Sequence, residues 1–206
     1  MEPVDVALVL AVDVSASVDF QEFALMIGGL SAAFRDESVL AAATGGPRGA
    51  AALSAVFWSD TAEPATPWTR VQDAASAEGF ATLLEEAPRL PRPGATALGD
   101  GMVAGLALLA RCPAPATRSV MDVSGDGRSN RGRPPGPVRD LGVAAGVTIN
   151  GLAVVNEEPD LLEHYETEVI GGPGAFAMSC ADYADFVEAI RRKLIRELRG
   201  PGLLVV

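Results

Sequence analysis

The sequence predicts an α/β protein: a doubly wound, mostly parallel central sheet flanked by helices. Two observations predict it. Strand-like and helix-like runs alternate along the chain. No linker, internal repeat or low-complexity segment interrupts the 206 residues, a length typical of one domain with a sizeable core. The expectation is a single domain over residues 1–206, with its core over about 4–198.

The elements follow in order. Val4 to Val12 (VDVALVLAV) is a buried strand that ends at Asp13. Phe20 to Phe34 is a helix, with Phe20, Phe23, Met26, Ile27, Leu30 and Phe34 at near-helical spacing. Gly45-Gly46-Pro47 breaks the chain before a second strand, Ala50 to Trp58, and Ala65 to Trp68 is a short edge strand. Ala74 to Ala87 is helical, Pro88 to Pro93 a loop, and Leu98 to Ala110 a helix rich in small residues. Ser119 to Ser124 is the next strand, followed by a loop, Gly125 to Pro137, rich in Gly, Pro and Arg. Val138 to Ala145 is a short helix, Val147 to Val155 a strand, Pro159 to Glu166 a short helix and Ala175 to Met178 a last short strand. Tyr183 to Leu198 is a closing amphipathic helix, with Phe186, Ile190, Leu194 and Leu198 on one stripe. Gly200-Pro201-Gly202 ends it and leaves an apolar tail, Leu203 to Val206.

Composition narrows the function. The chain is 49% hydrophobic and 21% charged, which is globular rather than disordered. A formal net charge of −11 repels phosphate backbones, so no nucleic-acid partner is expected; such a surface suits a cation or a basic partner, or serves solubility. No apolar run approaches the ~18 residues of a membrane span, and no basic leader precedes the first strand. Either the protein is cytoplasmic, or a leader has been trimmed and a Met added, which would make it periplasmic or secreted. Cys112 and Cys180 match no metal or redox spacing and read as two separate thiols, with a disulfide as the alternative.

Chemistry concentrates at Asp13, Ser15 and Ser17, which alternate where the first strand gives way to a helix. Such a turn can gather one carboxylate and two hydroxyls at the carboxyl end of a strand, where ligands of open α/β sheets bind. Hard oxygen donors suit Mg²⁺, Mn²⁺ or Ca²⁺ rather than zinc. Taken alone, the triplet is equally a helix cap. Two further loops tip the balance: Gly94-Ala95-Thr96 before the helix at Leu98, and Ser124 to Asn130 after another apolar strand. Three oxygen-bearing loops in this chain order are far more specific than any one.

With these residues in place the sequence resembles a von Willebrand factor A-like domain with a metal ion-dependent adhesion site, a Rossmann-like topology. The five positions of that site match Asp13, Ser15, Ser17, Thr96 and Asp126, and the resemblance covers roughly Val4 to Leu198. It is closest to an uncharacterised bacterial branch, through the runs VDVSASVD, DVSGDGRSN, TINGLAV, VIGGPGAF and AIRRKLIREL. Members of that branch often carry a secretion signal. Many family members have Thr-Asp-Gly where this chain has Gly125-Asp126-Gly127, so the carboxylate is kept and the hydroxyl before it is lost, with Ser124 and Ser129 nearby.

The resemblance implies that Ser15, Ser17 and Thr96 contact a divalent cation, Mg²⁺ first with Mn²⁺ or Ca²⁺ as alternatives. Asp13 and Asp126 would balance its charge, and one position would stay open for an Asp or Glu of a partner protein. The expectation is a metal-dependent binding module, not an enzyme. The alternative is a metal-assisted hydrolase or phosphotransferase using the same ion. It needs a base beside the metal, where only Asp19, Asp100 and Asp122 are candidates.

Other residues have two readings each. Asp19 and Asp100 are ordinary first-turn acids of helices rather than ligands. Asp122 either supports the site from behind or is a plain hydrogen-bonded buried acid. Asp122-x-Ser124-x-Asp126-Gly127 mimics half of a calcium loop, but the closing position holds Arg133 instead of Glu. Arg128, Arg131 and Arg133 are a solvated loop or a basic spot that receives an acidic segment. Gly171 to Gly174 lacks the Lys of a phosphate loop and reads as a turn. His164, the only histidine, is expected at the surface, and Trp58 and Trp68 against the sheet edge or a helix.

Overall fold

The computed structural model describes residues 1–200. Strand β1 (Val4–Asp13) is buried along nearly its whole length. It lies between β2 (Ala51–Trp58) and β5 (Ala116–Gly125), parallel to both. Beyond β5 come β6 (Val147–Val154) and β7 (Ala177–Cys180), also parallel. On the other edge β3 (Ala62–Pro64) and β4 (Thr69–Val71) each pair antiparallel with β2. The order β3-β2-β1-β5-β6-β7 makes β1/β5 the place where connections diverge, so their carboxyl ends open a crevice.

The apolar sequence of the central strands has a physical cause, since both faces of the sheet are covered. Even-numbered residues of β1 (Val6, Leu8, Leu10, Val12) pack with α1 (Phe20–Arg35), α2 (Glu37–Thr44), α3 (Ala74–Glu86) and α7 (Phe186–Arg199). Odd-numbered residues (Ala7, Val9, Ala11) pack with α4 (Leu98–Leu109), α5 (Pro135–Ala144), α6 (Leu161–His164) and the π-helical turn Tyr165–Val169 that follows it. Asp19 starts α1: its carboxylate accepts from Glu22 N, and Glu22 reaches back to Asp19 N, a reciprocal cap.

Several expectations are corrected. Ala65 to Trp68 is not a strand but the connection between β3 and β4. Thr66 Oγ1 accepts from Ala55 N, and Pro67 has no N–H to offer, so the ladder breaks there. Helix α2, unanticipated, is started by Asp36, which accepts from Ser38 N and Val39 N. The last strand lies two residues later than expected, at Ala177–Cys180. The short helix at 159–166 splits into α6 and the π-helical turn. Phe20 is not on the buried stripe of α1; it is 77% exposed at the first turn, and the stripe begins at Phe23. Trp58 is buried in the face covered by α4, and Trp68 is half-buried beside Val4. Gly171 to Gly174 forms the expected turn, and both cysteines are free thiols. The expected tail at 203–206 lies outside the described residues.

Candidate metal centre

Three loops meet at the crevice. The turn after β1 is folded by its own side chain: Asp13 Oδ1 accepts from Ser15 N at 2.7 Å. This brings Ser15 and Ser17 round so that their hydroxyls lie 3.1 Å apart. The loop before α4 runs alongside, with Ala16 N donating to Gly94 O at 2.9 Å, and it sets Thr96 Oγ1 3.4 Å from Ser15 Oγ. The loop after β5 supplies Asp126, whose Oδ1 accepts from Ser17 Oγ at 2.7 Å. The structure thus brings all five sequence-predicted residues into one hydrogen-bonded cluster.

Both carboxylates are held in an uncomfortable state. Asp13 is fully buried and Asp126 nearly so, and the second oxygen of each is buried without a protein partner. Burial, and then the facing Asp126 charge, push Asp13 up to about 7, against the Ser15 hydrogen bonds. Burial likewise raises Asp126, opposed by Ser17 and the nearby Tyr183 phenol, which falls short of hydrogen-bond geometry. Two unpaired buried carboxylate oxygens are costly unless a cation faces them. Two such oxygens and three hydroxyls make an all-oxygen donor set that fits a hard divalent cation. Among the described residues no three His, Cys, Asp or Glu side chains gather to hold a metal, so a cation here depends on the hydroxyls.

The remaining candidates fall at varying distances from this cluster. Ser129 Oγ donates to Thr96 O at 3.4 Å and so helps hold the Thr96 loop. Arg128 turns away to Asp160 and Glu158. Asp122 points to the opposite face, 2.7 Å from Lys193 Nζ, and Ser124 Oγ donates to it. Asp19 caps α1, and Asp100 pairs with Arg133. His164 is half-buried and faces Arg128, and burial lowers its pKa.

The sequence alone did not single out three residues that build the site. Asn130 grips the Thr96 loop: its Oδ1 accepts from Thr96 N and its backbone N–H donates to Thr96 O, both at 3.0 Å. Arg89 clamps the loop after β1, its guanidinium donating to the carbonyls of Val14, Ser15, Val18 and Asp19 while lying over the Phe23 ring. Tyr165 brings a fully buried hydroxyl close to Asp13. Asn130 ends the quoted run DVSGDGRSN, which was its only signal; Arg89 and Tyr165 carried none.

A cleft of about 830 Å³, with Arg118, Asn150, Phe176 and Arg196 among its walls, lies at the other end of β5 and β6, away from these carboxylates. No helix among the described residues is long and apolar enough to cross a membrane.

Comparison with known proteins agrees with the fold. The model of a family described as "Protein of unknown function (DUF1194)" matches residues 3–202. No curated protein matches the chain. Among solved structures, it is similar to proximal thread matrix protein 1 of the mussel byssus with a zinc-occupied MIDAS motif (19% identity, TM-score 0.66, 94% of this chain and 45% of that one). It is similar to a von Willebrand factor type A protein from Catenulispora acidiphila (15%, 0.66, 95% and 43%). It is also similar to the pilus adhesin SpaC from Lactobacillus rhamnosus GG (13%, 0.65, 97% and 30%). The chain spans less than half the length of each of these proteins. At these identities the likeness shows the fold, which is that of von Willebrand factor A domains.

Proposed function

The chain belongs to that family of unknown function, so its role has to be read from the site itself, and we propose that it is a metal-dependent protein-binding module. In this reading Ser15, Ser17 and Thr96 hold a divalent cation through hydroxyls, and Asp13 and Asp126 balance its charge. An Asp or Glu of a partner protein takes the remaining position. The chain acts as a single von Willebrand factor A-like domain with its core over about 4–198. The observation that carries the reading is the pair of buried carboxylates, each with an oxygen no protein group satisfies, ringed by three hydroxyls.

Chemistry supports the details. A divalent ion with few direct anionic ligands stays electrophilic, and an incoming carboxylate makes a charge-assisted contact that specifies as well as binds. The zinc in the mussel protein's MIDAS motif supports a divalent cation at the corresponding place, and the all-oxygen donors here favour Mg²⁺, with Mn²⁺ or Ca²⁺ as alternatives. The acids that a hydrolase or phosphotransferase would need as a base are engaged elsewhere: Asp19 in a cap, Asp100 with Arg133, Asp122 with Lys193. A pilus adhesin and a byssal matrix protein among the similar structures support an extracytoplasmic setting.

Calorimetric titration with Mg²⁺ tests the proposal. Wild type should bind and Asp13→Ala should not. Identical traces for the two would sink it.

A further inference from the structure

Of the two buried phenols near the site, Tyr183 approaches Asp126, while the fully buried Tyr165 reaches toward Asp13. It comes from the π-helical turn after α6, an arrangement that recurs at functional sites. Two glycines make its path. A Cβ at Gly151 of β6 would sit 2.4 Å from Tyr165 Cδ1, so the ring lies directly on that glycine's backbone. Gly151 pairs with Val123 in β5, and two residues further along β5 on the same face is Gly125. A Cβ there would be 2.8 Å from Asp13 Oδ2 and 2.9 Å from the Tyr165 hydroxyl. The phenol therefore crosses from β6 over β5 and ends beside the carboxylate of β1.

Both atoms flanking that spot lack a protein hydrogen bond, although both residues are fully buried. They are complementary: the phenol has a proton to donate, and a carboxylate oxygen accepts. The gap between them exists because residue 125 has no side chain, and a small swing of the phenol or one water closes it. The hydroxyl that a Thr-Asp-Gly pattern would bring at position 125 is thus matched by one arriving from elsewhere in the chain.

We propose that Tyr165 is a positioning residue of the cation site, its hydroxyl holding Asp13 Oδ2 in the orientation that cation binding needs. The inference rests on the reading of the site as a cation site. Loss of one such supporting hydrogen bond lowers metal affinity about 10–100-fold where it has been measured.

The experiment is Mg²⁺ titration by calorimetry of wild type, Tyr165→Phe and Asp13→Ala, with melting midpoints of the ion-free proteins. Tyr165→Phe keeps the ring and removes one oxygen. It should bind Mg²⁺ about 10-fold more weakly and melt near wild type without the ion. Wild-type affinity in Tyr165→Phe overturns the inference while leaving the cation site standing. Wild type that binds no better than Asp13→Ala overturns the cation site and the role of Tyr165 with it.

Discussion

Asp13 lies between two opposing demands. Its Oδ1 is fixed by Ser15 N, which folds the loop, while burial and the facing Asp126 lift the carboxyl to about 7. The folded chain therefore holds this proton more tightly than the unfolded chain does. The stability it brings is fully present below about 3.8 and is lost as the pH rises toward about 7, a change on the order of a few kcal/mol. Asp126, also raised, acts in the same direction. A cation competes with the proton, so Mg²⁺ should bind more tightly across the same window and offset the loss. Urea unfolding from about pH 4 to about pH 7 checks this: without Mg²⁺ the midpoint should fall, and with it the fall should shrink. A flat ion-free profile would remove the premise. The five cluster residues were legible in the sequence because they fall in three loops, two following strands and one preceding α4, whose order along the chain is itself informative. Tyr165 and Arg89 were not, because their roles rest on contacts with segments distant in sequence, which no local spacing encodes.

At the scale of elements, the loop after β1 is held by a neighbour rather than by its own propensities. The segment from Asp13 to Asp19 presents four carbonyls, those of Val14, Ser15, Val18 and Asp19, to the single guanidinium of Arg89 in the loop after α3. A planar fork with five donors suits this task and an ammonium does not. Arg89→Ala should therefore weaken Mg²⁺ binding about 10-fold or more and cost about 1–3 kcal/mol of stability through the unpaired carbonyls. Arg89→Lys should recover only part of either. Calorimetry and urea unfolding measure the two effects, and unchanged Mg²⁺ affinity in Arg89→Ala would reduce the clamp to a packing contact. The long elements were readable because apolar periodicity and caps agree, as in α1, where Asp19 and Glu22 frame the stripe from Phe23 to Phe34. The short ones were not. Helix α2 is a small Ala-rich segment held by Asp36, and β3 and β4 are three residues each, with their limits set by pairing to β2.

Across the whole molecule, the last helix is tied to the central sheet by a buried ionic group. Lys193 of α7, fully buried, lies 2.7 Å from Asp122 of β5 and 2.6 Å from Glu197 one turn on. Asn150 of β6 donates to Glu197 at 2.9 Å and accepts from Phe176 N, so three elements and the segment leading into β7 converge there. Asp122 read from sequence as either a support of the metal site or a buried acid; its partner is α7, on the far side of the sheet from Tyr165. Burial, and then the Asp122 charge, lift Glu197 to about 8 against the Lys193 amine, so near neutral pH the folded chain keeps a proton on Glu197. The stability due to that proton is present below about 4.5 and is lost as the pH rises through about 8. Removing the amine without the acids is the harsh change, because it strands a buried charge. Lys193→Met should cost about 3–5 kcal/mol in urea unfolding. Adding Glu197→Gln and Asp122→Asn to Lys193→Met should recover much of that, since no group in the cluster is then left ionised. The recovery should grow with pH, as the proton on Glu197 becomes harder to keep in the single variant. If Lys193→Met is as stable as wild type at every pH, the cluster contributes nothing to the attachment of α7, and apolar packing by Phe186, Ile190, Leu194 and Leu198 suffices to hold the helix.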